Sequence, residues 1–153
     1  MLKIARSLVH TLIRQLDRVS ARSRRTANAE LPEHLRVGKR GEEEAFFYLL
    51  RTGYTVVARN WRSPRLRGDL DLIGWQDGYL CFVEVKTRTR RDNIAAEFAV
   101  NEEKRRMLRR MAKAYLRRYE DRDRIPVRFD VVSVYLISEK PEFDLFQGVF
   151  SWH

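Results

Sequence analysis

Residues Gly68–Arg88 read GDLDLIGWQDGYLCFVEVKTR, two runs of apolar and β-branched residues on either side of Asp77-Gly78. That dipeptide suits a two-residue type I′ turn, in which both central residues need positive φ. The stretch therefore predicts a hairpin with strands over Asp69–Trp75 and Tyr79–Thr87. Centring the hairpin on Asp77-Gly78 sets Asp71 across from Glu84 and Asp69 across from Lys86, with the charged positions alternating onto one face. Directly opposed Cβ atoms stand about 5 Å apart, and two carboxylates at that separation repel. Acids are rare inside otherwise apolar strands unless they are paired or bound to a cation. A divalent cation, Mg²⁺ or Mn²⁺, would relieve the repulsion by taking carboxylate oxygens and leaving other positions to water and phosphate. Lys86 would orient or help deprotonate the attacking water and stabilise charge developing at phosphorus, which is what phosphodiester hydrolysis requires. The same residues also admit a purely structural reading, an exposed face crossed by a weak Asp69–Lys86 salt bridge. Both readings stay open on spacing alone.

Outward from the hairpin the chain alternates helical and extended patterns. Ala45, Phe46, Leu49 and Leu50 form an apolar stripe that predicts a helix over Arg40–Arg51, stopped by Gly53 at its C′ position. Tyr54–Trp61 is rich in β-formers, and the basic run Arg62–Gly68, broken by Pro64 and Gly68, reads as a loop. From Asn101 to Tyr119, Met107, Leu108, Met111, Ala112, Tyr115, Leu116 and Tyr119 recur at the helical period while arginines cover the outside. Val127–Ile137 reads as a fourth strand, and Phe143–Phe150 as a fifth element at the edge. The expected fold class is α/β, more closely an α+β mixed sheet with flanking helices.

The 153 residues are 44% hydrophobic, enough for one packed core, and carry 31 Lys+Arg against 21 Asp+Glu. A net charge of +10 points toward polyanions such as nucleic acid, since Lys and Arg displace counterions from a phosphate backbone. The single cysteine, Cys81, excludes an intramolecular disulfide and a Cys-based zinc cluster, and His10, His34 and His153 lack metal-ligand spacing. Ser-His catalysis is disfavoured for the same reason. With no apolar run long enough to span a bilayer, the expectation is a cytoplasmic protein without a membrane partner. Residues 1–36 form a basic extension, with eight Lys/Arg against three acids. Leu8, Leu12, Ile13, Leu16 and Val19 mark an amphipathic helix there, followed by an aperiodic linker over Ser20–Ala29. A docking helix, a nucleic-acid arm, a membrane-surface helix and a transit-peptide-like segment all fit that pattern.

The ordered series carries a resemblance. Asp71, then twelve residues, then Glu84-Val85-Lys86, preceded by Glu42, resembles the active-site pattern of the restriction-endonuclease-like PD-(D/E)xK superfamily and its Holliday-junction resolvases. Gly38-Lys-Arg-Gly41-Glu42 with Ala45, Gly53-Tyr54, Arg59-Asn60-Trp61-Arg62, Gly68-Asp-Leu-Asp-Leu-Ile73, Phe82-Val-Glu-Val-Lys86-Thr-Arg88, Lys104 and Arg128-Phe-Asp-Val-Val132 are similar to the bacterial YraN-like family. The likeness spans residues 37–150 and so sets a nuclease-like domain apart from the extension over 1–36. It implies a Holliday-junction-resolvase-like core and a Mg²⁺- or Mn²⁺-dependent endonuclease hydrolysing phosphodiester bonds in DNA, branched or structured DNA included. By position, Asp71 and Glu84 would be metal ligands, Lys86 the catalytic lysine and Glu42 a further acid reaching the metal or its water. The family usually carries Glu where this chain has Asp69.

Without the resemblance, Glu42 in Glu42-Glu43-Glu44 reads as a solvated acid near a helix N-terminus. Arg62, Arg65, Arg67 and Arg88 would form a phosphate-binding rim with Lys104, or simply a soluble surface. Trp61 and Trp75 read as packing residues before base-stacking ones, and Arg128 with Asp130 as a structural pair. The alternative function is a DNA-binding module of negligible turnover that recruits a DNA-processing partner through its extension. RNA stays open as a substrate, and symmetric cutting of two strands would call for a homodimer.

Overall fold

The Asp77-Gly78 turn takes the conformation its residues favour, with φ of 49° and 82°. The computed structural model describes residues 31–91 and 100–152. The amphipathic helix and linker expected within residues 1–30 lie outside the described residues. By compactness the chain divides into Met1–Val37 and Gly38–His153, and the second unit carries the sheet.

In chain order the elements are α1 (Glu33–Arg51), β1 (Thr55–Trp61), β2 (Leu70–Gln76), β3 (Tyr79–Arg88), α2 (Glu102–Leu116), a single 3₁₀ turn (Arg122–Arg124), β4 (Val127–Tyr135) and β5 (Glu142–Phe150). The five strands lie in sequence order in one sheet. β1–β2, β2–β3 and β4–β5 are antiparallel, whereas β3–β4 is parallel. A parallel pair needs a long crossover, and α2 supplies it. The architecture is thus the expected mixed α+β sheet.

Side chains leave the sheet on both faces. Leu70, Ile73, Leu80, Phe82, Phe129 and Val131 pack against Leu108, Met111, Ala112 and Tyr115 of α2. Leu72, Cys81, Val83, Val132 and Val134 pack against Ala45 and Leu49 of α1. β3 and β4 are covered on both sides, which is why each reads as a nearly continuous apolar run and not as an alternation. Among the described residues no helix is long and apolar enough to cross a membrane.

Three boundaries differ from expectation by two residues or more. α1 begins at Glu33, not Arg40. The Pro32 carbonyl accepts from the Leu35 and Arg36 amides at 3.0 and 3.1 Å, so the first turn closes well before Gly38, and the helix continues through that glycine. α2 ends at Leu116 and not Tyr119, although Tyr119 still packs its ring edge-on against Trp75. β4 stops at Tyr135, and Ile137 is exposed. Gly53, at φ 95°, closes α1 as expected, with the Tyr54 amide donating to the Leu49 carbonyl at 3.0 Å.

Gly41 has a further reason to be glycine. A Cβ built there would stand 1.8 Å from Thr87 Oγ1 on β3. The close approach of α1 to the end of β3 therefore depends on the missing side chain, and it carries Glu42, the next residue, to that end of the sheet.

Candidate active site

The hairpin register is the one its turn sets: Gln76 pairs with Tyr79 and Leu72 with Val83. Pairing stops there, so Asp71 lies just beyond the ladder. Its Oδ2 accepts the Val85 amide at 2.7 Å, a side chain standing in for a ladder carbonyl. This bond holds the Asp71 carboxylate on β3, beside Glu84.

Glu84 is 5% exposed and shares the α2-facing side of β3 with Leu80, Phe82 and Lys86. Lys86 Nζ donates to its Oε1 at 3.0 Å. Lys104 Nζ stands 3.1 Å from Oε2, close enough for an ion pair but not aligned as a hydrogen bond. Lys104 comes from the first turn of α2, whose start is set by Asn101: the Asn101 side chain caps the helix by accepting the Lys104 amide at 2.9 Å. Expected on the outer rim, Lys104 is instead part of the carboxylate cluster.

Burial pushes the Asp71 carboxyl up to about 7, with the nearby Glu84 charge adding to the rise. The Val85 amide and Lys104 oppose it, and Glu42 contributes a smaller upward push, so the acid from α1 acts on the pair through its charge. A carboxyl held half-protonated near neutral pH by burial and a second carboxylate is short of positive charge. Glu84 Oε2, ion-paired to Lys104 but accepting no hydrogen bond, keeps a lone pair for a cation. Both features fit an oxygen-ligated divalent cation, with Asp71 and Glu84 as its protein ligands. Among the described residues no group of three or more His, Cys, Asp and Glu side chains converges as a metal cluster. A two-carboxylate site would leave the remaining positions to water and substrate oxygens, the usual habit of Mg²⁺.

The structural alternative of an Asp69–Lys86 bridge is overturned. Asp69 precedes β2, and its Oδ2 lies 3.3 Å from Arg62 instead, while Lys86 pairs with Glu84. Gly68, at φ 106°, turns the chain just before Asp69. Arg62, Arg65 and Arg67 are exposed on the loop between β1 and β2. That loop springs from the Trp61–Leu70 pair and so lies at the Asp71 end of the sheet. Arg88, half-buried, ends β3 at the same end. The tryptophans serve the core: Trp61 meets Tyr115 edge-on at 5.3 Å, and Trp75 meets Tyr119 at 6.3 Å.

Arg128 and Asp130 form the expected structural pair, Nε to Oδ1 at 2.8 Å, within a larger network. Asp130, 1% exposed, also accepts from the Tyr54 hydroxyl and the Gly148 amide, each at 2.9 Å. Gln147 and Gln76 extend the network from β5 and β2. No short-range pattern in the chain marks these partners, because Tyr54, Gln76, Asp130 and Gln147 stand at least 17 positions apart.

Residues 41–134 match the family described as "Uncharacterised protein family UPF0102". A UPF0102 protein of Koribacter versatilis is 53% identical over 119 residues, covering 78% of this chain and 82% of that one. A relative from Solibacter usitatus is 46% identical over 113 residues, covering 74% and 84%. One from Porphyromonas gingivalis is 40% identical over 109 residues, covering 71% and 78%. The matched region contains Glu42, Asp71, Glu84, Lys86 and Lys104, and on this similarity the chain belongs to the UPF0102 family, the YraN-like group.

Proposed function

We propose that the protein is a metal-dependent endonuclease acting on DNA, with branched or otherwise structured DNA among its substrates. The observation that carries this reading is the pairing of half-buried Asp71 with buried Glu84, flanked by Lys86 and Lys104 at the sheet end where the Arg62–Arg67 loop emerges. Asp71 and Glu84 hold Mg²⁺ or Mn²⁺; the ion, when bound, neutralises charge at phosphorus and eases ionisation of water. Lys86 fixes the rotamer of Glu84 and offers its ammonium to a substrate oxygen. Arg62, Arg65, Arg67 and Arg88 take phosphates on either side of the scissile bond, and Glu42 tunes the charge of the pair from α1. Symmetric cutting of two strands uses two copies of the chain.

Cleavage of labelled single-stranded, duplex, flap and four-way-junction DNA, with matched RNA strands, tests the reading in Mg²⁺, Mn²⁺ or EDTA. The expected result is metal-dependent cutting lost in Glu84→Ala and Lys86→Ala, with DNA binding retained. A second reading draws on the lysines that already face both Glu84 oxygens: a binding module that keeps the site neutral without turnover and recruits a DNA-processing partner. No cutting by any preparation, together with tight salt-sensitive binding, would select it.

A further inference from the structure

At the end of the sheet away from Glu84, a groove of about 950 Å³ opens between the start of β3, the start of β4 and the C-terminal end of α2. Its lining combines two aromatics, Tyr79 and Trp152, with three cations, Lys113, Arg117 and Arg122, against a single acid, Asp123. Tyr79 is 41% exposed although it begins a central strand. Arg128 lies 5.4 Å from its ring centroid, and Trp152 stacks on Phe129 at 5.9 Å with Lys113 5.8 Å from its own ring. Trp152 is thus held in place by the protein while bordering the groove on the α2 side, whereas the Tyr79 ring meets Arg128 on the α1-facing side and only edges the groove.

The groove does not stand alone on its helix. Arg106, Arg110, Lys113 and Arg117 follow one another at spacings of four, three and four residues, a single exposed stripe along α2 that ends in the groove. A second, shallower hollow lined by Glu103, Arg106, Arg109 and Arg110 lies along the same stripe. A solvated basic helix face would explain the stripe, but not the cavity with an anchored tryptophan at its end. Phosphates along cations with a base stacked on an aromatic is how single strands are bound without sequence preference.

We infer that this groove binds an unpaired DNA segment, so that the substrate of the proposed nuclease carries a single-stranded tail running along α2 away from the cleavage site. The inference rests on the DNA reading above and deepens it. From Tyr79 to Glu84 along β3 is about 17 Å at 3.3 Å per residue. From Lys104 to Arg117 along α2 is about 20 Å at 1.5 Å per residue. Both distances leave room for a few nucleotides of an unpaired strand between the groove and the carboxylates.

The test is fluorescence anisotropy of labelled dT12 and of a 12-base-pair duplex on the full chain in EDTA, where no cleavage interferes. Arg117→Ala with Arg122→Ala should weaken dT12 at least tenfold and the duplex less than threefold. Trp152→Ala should weaken dT12 while Trp152→Phe restores most of it, and 5-iodouracil in dT12 should crosslink to Trp152. Equal losses for duplex and single strand, or crosslinks confined to other residues, would overturn the inference. So would displacement of dT12 by dTMP at comparable concentration, since the occupant would then be a free nucleotide. Groove-dependent dT12 binding without cleavage of any substrate would leave this inference standing and remove the nuclease. Cleavage without such binding would do the reverse.

Discussion

Replacing Asp71 by Asn removes an acid whose ionisation the fold resists, so the variant should gain stability where the wild-type chain loses it. With the Asp71 carboxyl raised from 3.8 to about 7, the folded chain keeps a proton between about pH 4 and pH 7 that the unfolded chain has released. Stability therefore falls as pH rises through that window and stays low above it. Three pH units at about 1.4 kcal/mol each set an upper bound of about 4 kcal/mol, and sharing of the proton with Glu84 brings the expected value to about 2 kcal/mol. For a unit of this size that is on the order of 8 °C in Tm. Asn can still accept the Val85 amide bond that Asp71 accepts at 2.7 Å, so the comparison isolates charge. Thermal unfolding followed by circular dichroism in EDTA at pH 5, 6, 7 and 8 should show the wild-type Tm dropping relative to Asp71→Asn as pH rises. At pH 8, Mg²⁺ at a hundred times its dissociation constant should restore about 2.7 kcal/mol to the wild type and almost nothing to the variant. A wild-type-minus-variant difference that is flat from pH 5 to pH 8 would refute the reasoning, because the pair would then carry no electrostatic strain for a cation to relieve.

Three further substitutions probe the supports of the site. Lys104→Gln removes a cation 3.1 Å from Glu84 Oε2 and should tighten Mg²⁺ binding about tenfold, roughly 1.4 kcal/mol, read as a leftward shift in a thermal-stability titration; unchanged or weaker binding would deny that the lysine and the ion compete. Gly41→Ala places a Cβ 1.8 Å from Thr87 Oγ1 and should cost about 1–3 kcal/mol by urea denaturation, with Thr87→Ala in the same chain recovering part of the loss. Arg128→Met leaves Asp130, 1% exposed, without its cation and should cost about 3–5 kcal/mol, while the folded fraction binds Mg²⁺ as the wild type does, because the network lies on the α1 side of the sheet.

What the chain disclosed about itself was local chemistry. The hairpin register was legible because Asp77-Gly78 admits one turn type and the flanking runs have period two, so Asp71 and Glu84 came together from spacing alone. The ladder's end was not legible. Spacing continues the pairing to Asp69 and Lys86, whereas the chain leaves the sheet at Gly68 and Asp69 turns to Arg62. The apolar stripe from Ala45 to Leu50 sets a helix start near Arg40, whereas α1 runs from Glu33 through Gly38 because Pro32 closes the first turn. Lys104 looked like one more cation on a basic helix. Its pairing with Glu84 depends on where α2 crosses the sheet, a tertiary fact with no signature in nearby residues. The same holds for Tyr54, Gln76 and Gln147 around Asp130.

The topology makes α2 the element on which both functional proposals depend. β3 and β4 are parallel neighbours, so the chain leaving β3 at Arg88 must return to the opposite end of the sheet before β4 starts at Val127. A helix making that return necessarily begins near the carboxylates and finishes near Tyr79. Its buried stripe of Leu108, Met111, Ala112 and Tyr115 fixes its rotation about its own axis, and this directs Lys104 toward Glu84 while leaving Arg106, Arg110, Lys113 and Arg117 facing solvent. One amphipathic pattern thus sets the charge balance around Asp71 and Glu84 and lays a basic path from them to the groove. Rotating the helix by one position would break the Glu84 ion pair and bury the path together. Losing the apolar stripe should therefore free Glu84 from Lys104 and weaken single-strand binding together, whereas charge substitutions on the exposed stripe should affect single-strand binding alone.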